Sequence, residues 1–203
     1  LNTQNLPAKD VREAVETITE LIEYYKGIFT ILSSCAARQL EEVTFRRNTI
    51  PEQELFDAAG KYFRKVMKNR TEKVELIIEP MEAKVIGDVN QLRFLFENLI
   101  DEALAVREEG VIRLQARKDN EYIRFLFTDT RREKSVTELN QLFYPNLARM
   151  TSGEKGELRG TEYLICKQII RDHDEFAGRR GCRINAEPAE GGGFTVYFTI
   201  PRR

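Results

Sequence analysis

The stretch Gly87-Asp88-Val89-Asn90-Gln91-Leu92-Arg93-Phe94-Leu95-Phe96-Glu97-Asn98-Leu99-Ile100-Asp101-Glu102-Ala103-Leu104 decides how this chain folds. Asp88 stands just before a helical run, where its carboxylate can accept from the unpaired N–H groups of a first turn. Behind it Leu92, Leu95, Phe96, Leu99, Ile100, Ala103 and Leu104 recur at helical spacing and form one wide apolar face. Glu97, Asn98, Asp101 and Glu102 bring polar groups into its middle. Asn98 and Glu102 lie four apart and share a side of the helix. Such a pair can hold a metal–phosphate group, or it can be the wet edge of a groove.

On either side of this helix the period changes. Val74-Glu75-Leu76-Ile77-Ile78-Glu79 reads as a strand ended by Pro80, and Lys84-Val85-Ile86 as a short second one. Beyond the helix, Ile112, Leu114 and Ala116 alternate with Arg113, Gln115 and Arg117. After the turn Lys118-Asp119-Asn120, Ile123, Phe125 and Phe127 alternate again, so the two segments read as a hairpin. Val136 to Phe143 reads as a short helix and Thr151 to Gly156 as a polar loop. Thr161 to Asp172 reads as a helix with Cys166 on its apolar face, and 182–186 and 194–200 as two closing strands. Strands that come as hairpins among helices imply an α+β fold, a two-layer α/β sandwich with a mixed sheet.

Upstream, Val15, Ile18, Leu21, Ile22, Tyr25, Ile28, Phe29 and Leu32 lie on one helical stripe that runs on to about Val43. Residues 48–52 read as a break, with Thr49 as a cap and Pro51 in a first turn. Leu55, Phe56, Ala59, Tyr62, Phe63, Val66 and Met67 then line a second helix. The spacing predicts an antiparallel helical hairpin over 11–69 and a domain boundary at 72/73. Two helices bury little by themselves, so the hairpin is expected to pair with a second copy, with leaning on the next domain as the other use.

Composition narrows the function classes. Of the 203 residues 41% are apolar, enough for a core, and the net charge of −1 gives no general attraction for nucleic acid or anionic membrane. The arginines at 179, 180, 183, 202 and 203 have no interleaved aromatic platform, so no nucleic-acid partner is expected. No apolar run approaches the ~20 residues of a membrane span, and no signal peptide stands out. The start at Leu1 rather than Met reads as a piece of a longer protein in which a membrane anchor could precede this segment. Cys35, Cys166 and Cys182 show neither zinc spacing nor a disulfide framework, which suits a reducing cytoplasm.

Five motifs in order resemble those of sensor histidine kinases and the wider group that includes gyrase, Hsp90 and MutL. Asp88-Val89-Asn90-Gln91-Leu92 leads to Asn98-Leu99-Ile100-Asp101-Glu102-Ala103, similar to the family's Asp-x-x-Arg/Lys-Leu and Asn-Leu-Leu-x-Asn-Ala. Asp129-Thr130-Arg131-Arg132-Glu133 resembles the Asp-x-Gly-x-Gly box, and Gly160-Thr161-Glu162-Tyr163 the Gly-x-Gly-Leu box. Gly193-Phe194 with the strand to Pro201 resembles the closing Gly-x-x-Phe segment. The resemblance implies an ATP-binding domain over 73–203, with Asn98, Glu102, Asp129 and Gly160 at the nucleotide and Asn98 and Glu102 at Mg²⁺. It also places residues 11–69 where those kinases keep their dimerisation and phosphoacceptor helices.

The departures fall on the chemistry. The second Asn of the helix motif is Glu102 here. A carboxylate about 4 Å from a phosphate oxygen costs on the order of 4 kcal/mol at an effective dielectric near 20, unless Mg²⁺ lies between. That is about three decades in affinity. Arg131 and Glu133 stand where glycines let the backbone approach the nucleotide, and Glu162 sets a negative charge at a phosphate-binding helix start. No histidine occurs in 11–69, and the single one, His173, reads as structural or surface. Apart from the resemblance, Asp129 reads as a strand-end residue capping the next turn, and Arg131, Arg132 and Lys134 as a solvated charge run. The expectation is a non-catalytic signalling module, a dimeric scaffold without cofactor. The alternative is an active ATP-binding kinase or ATPase that acts on a partner protein.

Overall fold

The computed structural model describes residues 45–144 and 161–203, together with 14, 15, 18, 19 and 22. One compact unit takes in Thr44–Pro145 and Glu162–Arg203. Its elements are β1 (Asn48–Pro51), α1 (Glu52–Met67), β2 (Val74–Glu79), β3 (Lys84–Gly87), α2 (Val89–Leu104), β4 (Gly110–Asp119) and β5 (Tyr122–Asp129). They continue as α3 (Val136–Gln141), α4 (Thr161–Phe176), β6 (Ile184–Pro188) and β7 (Phe194–Pro201). The five-stranded sheet has the order β2-β4-β5-β7-β6. Its β2–β4 pair is parallel, and the helix α2 lies in the crossover that a parallel pair requires. The remaining pairs are antiparallel, so the sheet is mixed as the hairpin pattern predicts.

The alternation read from the sequence sets the register. Leu114 faces Phe127, and Ile112, Leu114, Ile123, Phe125, Val196 and Phe198 are all buried. Rings from four elements meet on this side: Phe56 of α1, Phe96 of α2, Phe125 of β5 and Phe198 of β7. Their centroids lie 5.1–5.9 Å apart where they touch. Edge-to-face contacts between rings add to the burial term, so this cluster ties both helices to the sheet.

The opening of α2 is fixed by three connections. The Asp88 carboxylate accepts from the N–H groups of Asn90 and Gln91 at 2.9 and 3.1 Å. Its other oxygen accepts from the Arg46 N–H at 2.8 Å. The Asp88 N–H in turn donates to Nε2 of His173 on α4, 3.1 Å away. His173 is fully buried, so the structural reading of this histidine is the one observed. At the start of α3, Ser135 and Glu138 form a reciprocal capping box.

Residues 48–52 are not a break with Thr49 as a cap. Residues 48–51 form β1, antiparallel to β3 with Thr49 opposite Ile86 and Ile50 opposite Val85, and Glu52 opens α1. Ile50 and Val85 are 2% and 0% exposed, so the pairing is anchored in the core. Pro51 is the N-cap residue of α1, with extended backbone and no side-chain cap. The helix α1 also departs from the hairpin reading. Leu55, Phe56, Ala59 and Phe63 are buried in the same core as α2 and the sheet, and α1 falls within the same compact unit. Its apolar face is buried against its own unit. Of the helix expected over 11–43, only 14, 15, 18, 19 and 22 are described, and these are helical. The polar loop 151–156, Gly160 and Cys35 lie outside the described residues.

Candidate functional site

Asp129 closes β5 between two strands, opposite Ile112 of β4 and Phe194 of β7. The chain reverses directly after it, and Thr130 is tied to Val111 by its N–H and its hydroxyl at 3.1 and 3.0 Å. Gly193, at φ 81°, lies beneath this turn, where a Cβ would run into the carbonyl oxygen of Asp129. The close approach therefore requires glycine at 193.

The side chain of Asp129 is completely buried and is held by two arginines. Arg131 donates its Nε to Oδ1 at 2.8 Å and its Nη2 to Oδ2 at 3.0 Å, a bidentate fork. The Arg131 backbone N–H also donates to Oδ1 at 3.1 Å, so Asp129 caps its own turn. Arg132 adds its Nε to Oδ2 at 3.2 Å. The Arg131 side chain is 1% exposed and that of Arg132 13%, which overturns the reading of these residues as a solvated charge run.

The arginines also reach the C-terminal end of α2. Arg131 donates Nη2 to the Ala103 carbonyl at 2.7 Å and Nη1 to the Glu108 carbonyl at 3.2 Å. Arg132 donates Nη2 to the Glu102 carbonyl at 3.3 Å, and its guanidinium lies 5.8 Å from the Phe194 ring centroid. Cations are favoured at a helix C-terminus, where carbonyls lack helical partners. The stem of Arg131 runs over Gly110, at φ 140°, where a Cβ would come within 2.7 Å of its Cγ. Gly110 thus makes the space that Arg131 occupies.

Glu102 and Asn98 are both buried on α2, at 8% and 6% exposure. The Asn98 amide donates to its own helix, to the Phe94 carbonyl at 2.6 Å. Tyr163, in the first turn of α4, is buried edge-on to Phe143. Burial pushes its hydroxyl well above the usual tyrosine range, and the nearby carboxylates of Glu102 and Asp129 push it further. Asp129, Arg131, Arg132, Tyr163 and the end of α2 thus share one locality. Among the described residues, no group of three or more His, Cys, Asp or Glu could hold a metal ion.

Asp129 was singled out by its resemblance to the family's Asp-x-Gly-x-Gly box, while the residues alone gave a strand-end cap, which the bond from the Arg131 N–H matches. Arg131 was missed as its ion-pair partner. The available signal was the pair Arg131 and Gly110, a long cation and a small residue at opposite ends of the β4–β5 hairpin, but only register brings them together. The arginines at 179, 180 and 183 pair with Glu121, Asp174 and Asp119 at the surface. No described helix is long and apolar enough to cross a membrane.

No curated protein matches the chain. Solved structures of sensor kinases do match its fold. A mycobacterial sensor histidine kinase, MprB, superposes with a TM-score of 0.58 at 18% identity, over 78% of this chain and 99% of that one. The catalytic domain of histidine kinase ThkA gives 0.61 at 19% identity, over 77% and 96%. Histidine kinase ThkA in complex with response regulator protein TrrA gives 0.63 at 17% identity, over 100% of this chain and 53% of that one. The family described as histidine kinase-, DNA gyrase B-, and HSP90-like ATPase matches residues 87–203, from the cap of α2 to the end of the closing strand. That match covers more than half of the chain and agrees with the mixed sheet, so the chain belongs to this ATPase family.

Proposed function

We propose that this chain is a histidine-kinase-type signalling module whose nucleotide site is filled by its own Arg131, and that it acts as a dimeric interaction scaffold. One observation carries the reading: both carboxylate oxygens of Asp129, which the resemblance sets at the nucleotide, are taken by guanidinium groups. A base that recruits Asp129 must first displace Arg131 from a buried ion pair. Breaking such a pair on one side costs about 3–5 kcal/mol, or roughly two to four decades in affinity. Glu102 adds a buried carboxylate near the same place. The residues present therefore do not favour adenine nucleotide.

Val15, Ile18 and Ile22 support the dimer. They are helical, lie at i, i+3 and i+7, and are 50–56% exposed. A stripe of this kind suits pairing of two copies along one helix. No histidine occurs in 11–69, so that stretch holds no phosphoacceptor histidine.

Calorimetric titration of the full chain with Mg–ATP tests the filled site. No heat of binding is expected at micromolar nucleotide for the native chain, whereas Arg131→Gly gains affinity; micromolar binding by the native chain overturns the reading. Equilibrium sedimentation of the same sample tests the dimer.

A further inference from the structure

A cleft of about 440 Å³ lies between α3, α4 and the edge strand β6, and shares no residue with the Asp129 site. Its volume falls within the roughly 300–1,000 Å³ of small-molecule sites. Phe143 and Ile170 are buried beneath it and Ile184 is half-buried, so part of its wall is apolar. Its charged lining residues are Lys167, Arg171 and Arg183, and among the described residues no carboxylate lines it. Three cations without an acid are a local excess in a chain whose net charge is −1.

These cations are positioned rather than merely nearby. Lys167 and Arg171 are four apart on α4, so they project from the same helix face. The Lys167 ammonium donates to the Phe143 carbonyl at 3.2 Å and sits 3.8 Å from the Tyr144 ring centroid. That fixes it beside the cleft and still leaves an N–H for another acceptor. Arg171 makes no ion pair among the described residues, and Arg183 approaches Asp119 only at 3.9 Å. Arg93, Arg124, Arg179 and Arg180 on the same molecule each have a carboxylate within 3.2 Å.

We propose that this cleft binds a small amphipathic organic anion, its apolar body on Phe143, Ile170 and Ile184 and its carboxylate or sulfonate head at Lys167 and Arg171. A charged acceptor there makes charge-assisted hydrogen bonds that a neutral head cannot. The site would give the module a small-molecule input separate from its nucleotide fold.

The test uses the full chain, naphthalene-2-sulfonate as the anion and 2-naphthalenemethanol as its neutral counterpart. Saturable binding of the sulfonate is followed by calorimetry and by amide shifts of Ile184 and Ala186. The sulfonate is expected to bind at least about tenfold more tightly than the alcohol, and K167Q/R171Q to abolish that preference. A thermal midpoint unchanged from the native chain shows that the variant is folded. If the double variant does not fold, Arg171→Gln alone, at an exposed position, reads the same loss. Equal affinity for sulfonate and alcohol, unchanged affinity in the variants, or shifts confined to the Asp129 turn would each overturn the proposal.

Discussion

At Asp129 a carboxylate with no exposure faces two guanidinium groups, and the protein pairs charges there that would otherwise need water. Asp129→Asn leaves Arg131 buried without a counter-charge. A loss of about 3–5 kcal/mol in unfolding free energy is expected, measured by urea denaturation. A residue kept only to touch a ligand would change stability by within about 0.5 kcal/mol. His173 gives a second outcome. Its Nδ1 donates to the Ile169 carbonyl at 2.8 Å and its Nε2 accepts from Asp88, so the neutral ring satisfies both bonds. Burial lowers its pKa below the ordinary 6.5, and the helix carbonyl with Asp88 and Asp172 opposes this only in part. The unfolded chain then binds the proton more readily than the folded one. The contribution of His173 is fully present above about pH 6.5 and declines as pH falls toward the lower folded value. Unfolding free energy measured between pH 7.5 and 5.5 should fall more steeply for the native chain than for His173→Gln, whose amide can keep both contacts. Both residues were visible in the sequence, but their partners were not. His173 meets Asp88 across 85 positions, and no local pattern records that.

Among the elements, α2 was the most legible, because its cap, its stripe and its length all follow from adjacent residues. Asp88→Ala removes an acceptor from the first turn of α2 and from Arg46, with an expected cost of about 1–2 kcal/mol in thermal or urea unfolding. Replacement by Ser or Asn should recover most of it, since both can cap. The hairpin β4–β5 was equally legible through its alternation, and its turn sits at Asn120, whose φ of 54° this residue type tolerates. β1 was not. Four residues, Asn-Thr-Ile-Pro, are too few to show a period, and Pro51 before an acidic first turn imitates a helix start. What makes them a strand is β3, 33 or more positions away, together with burial of Ile50. For α1 the amphipathic face was read correctly and its partner was left between a second copy and the next domain, because an apolar stripe states that something covers it without stating what; the core shows it packed on α2 and the sheet.

For the whole molecule, the position of α1 decides where an independently folding piece can begin. Ile50, Leu55, Phe56 and Phe63 all lie at 6% exposure or less, and Phe56 touches rings on both α2 and β5. Burying four such side chains contributes roughly 6–12 kcal/mol, as large as the whole net stability of an ordinary domain, about 5–15 kcal/mol. A fragment over 73–203, which starts at the boundary the sequence suggests, would expose Phe96 and Phe125 where α1 should lie and would leave β3 without its partner strand β1, with only the bridge from Val85 to Arg202. A fragment over 45–203 keeps the Arg46 bond to Asp88, β1, α1 and the complete ring cluster. The longer fragment is expected to unfold in one cooperative transition, whether followed by near-ultraviolet circular dichroism or by fluorescence. The shorter one should bind a hydrophobic dye and melt without a sharp midpoint. A sharp, dye-free transition in 73–203 would show that α1 is an attachment to the ATPase domain and not part of its core. The face of α1 would then be free to pair with another copy, as the hairpin reading required.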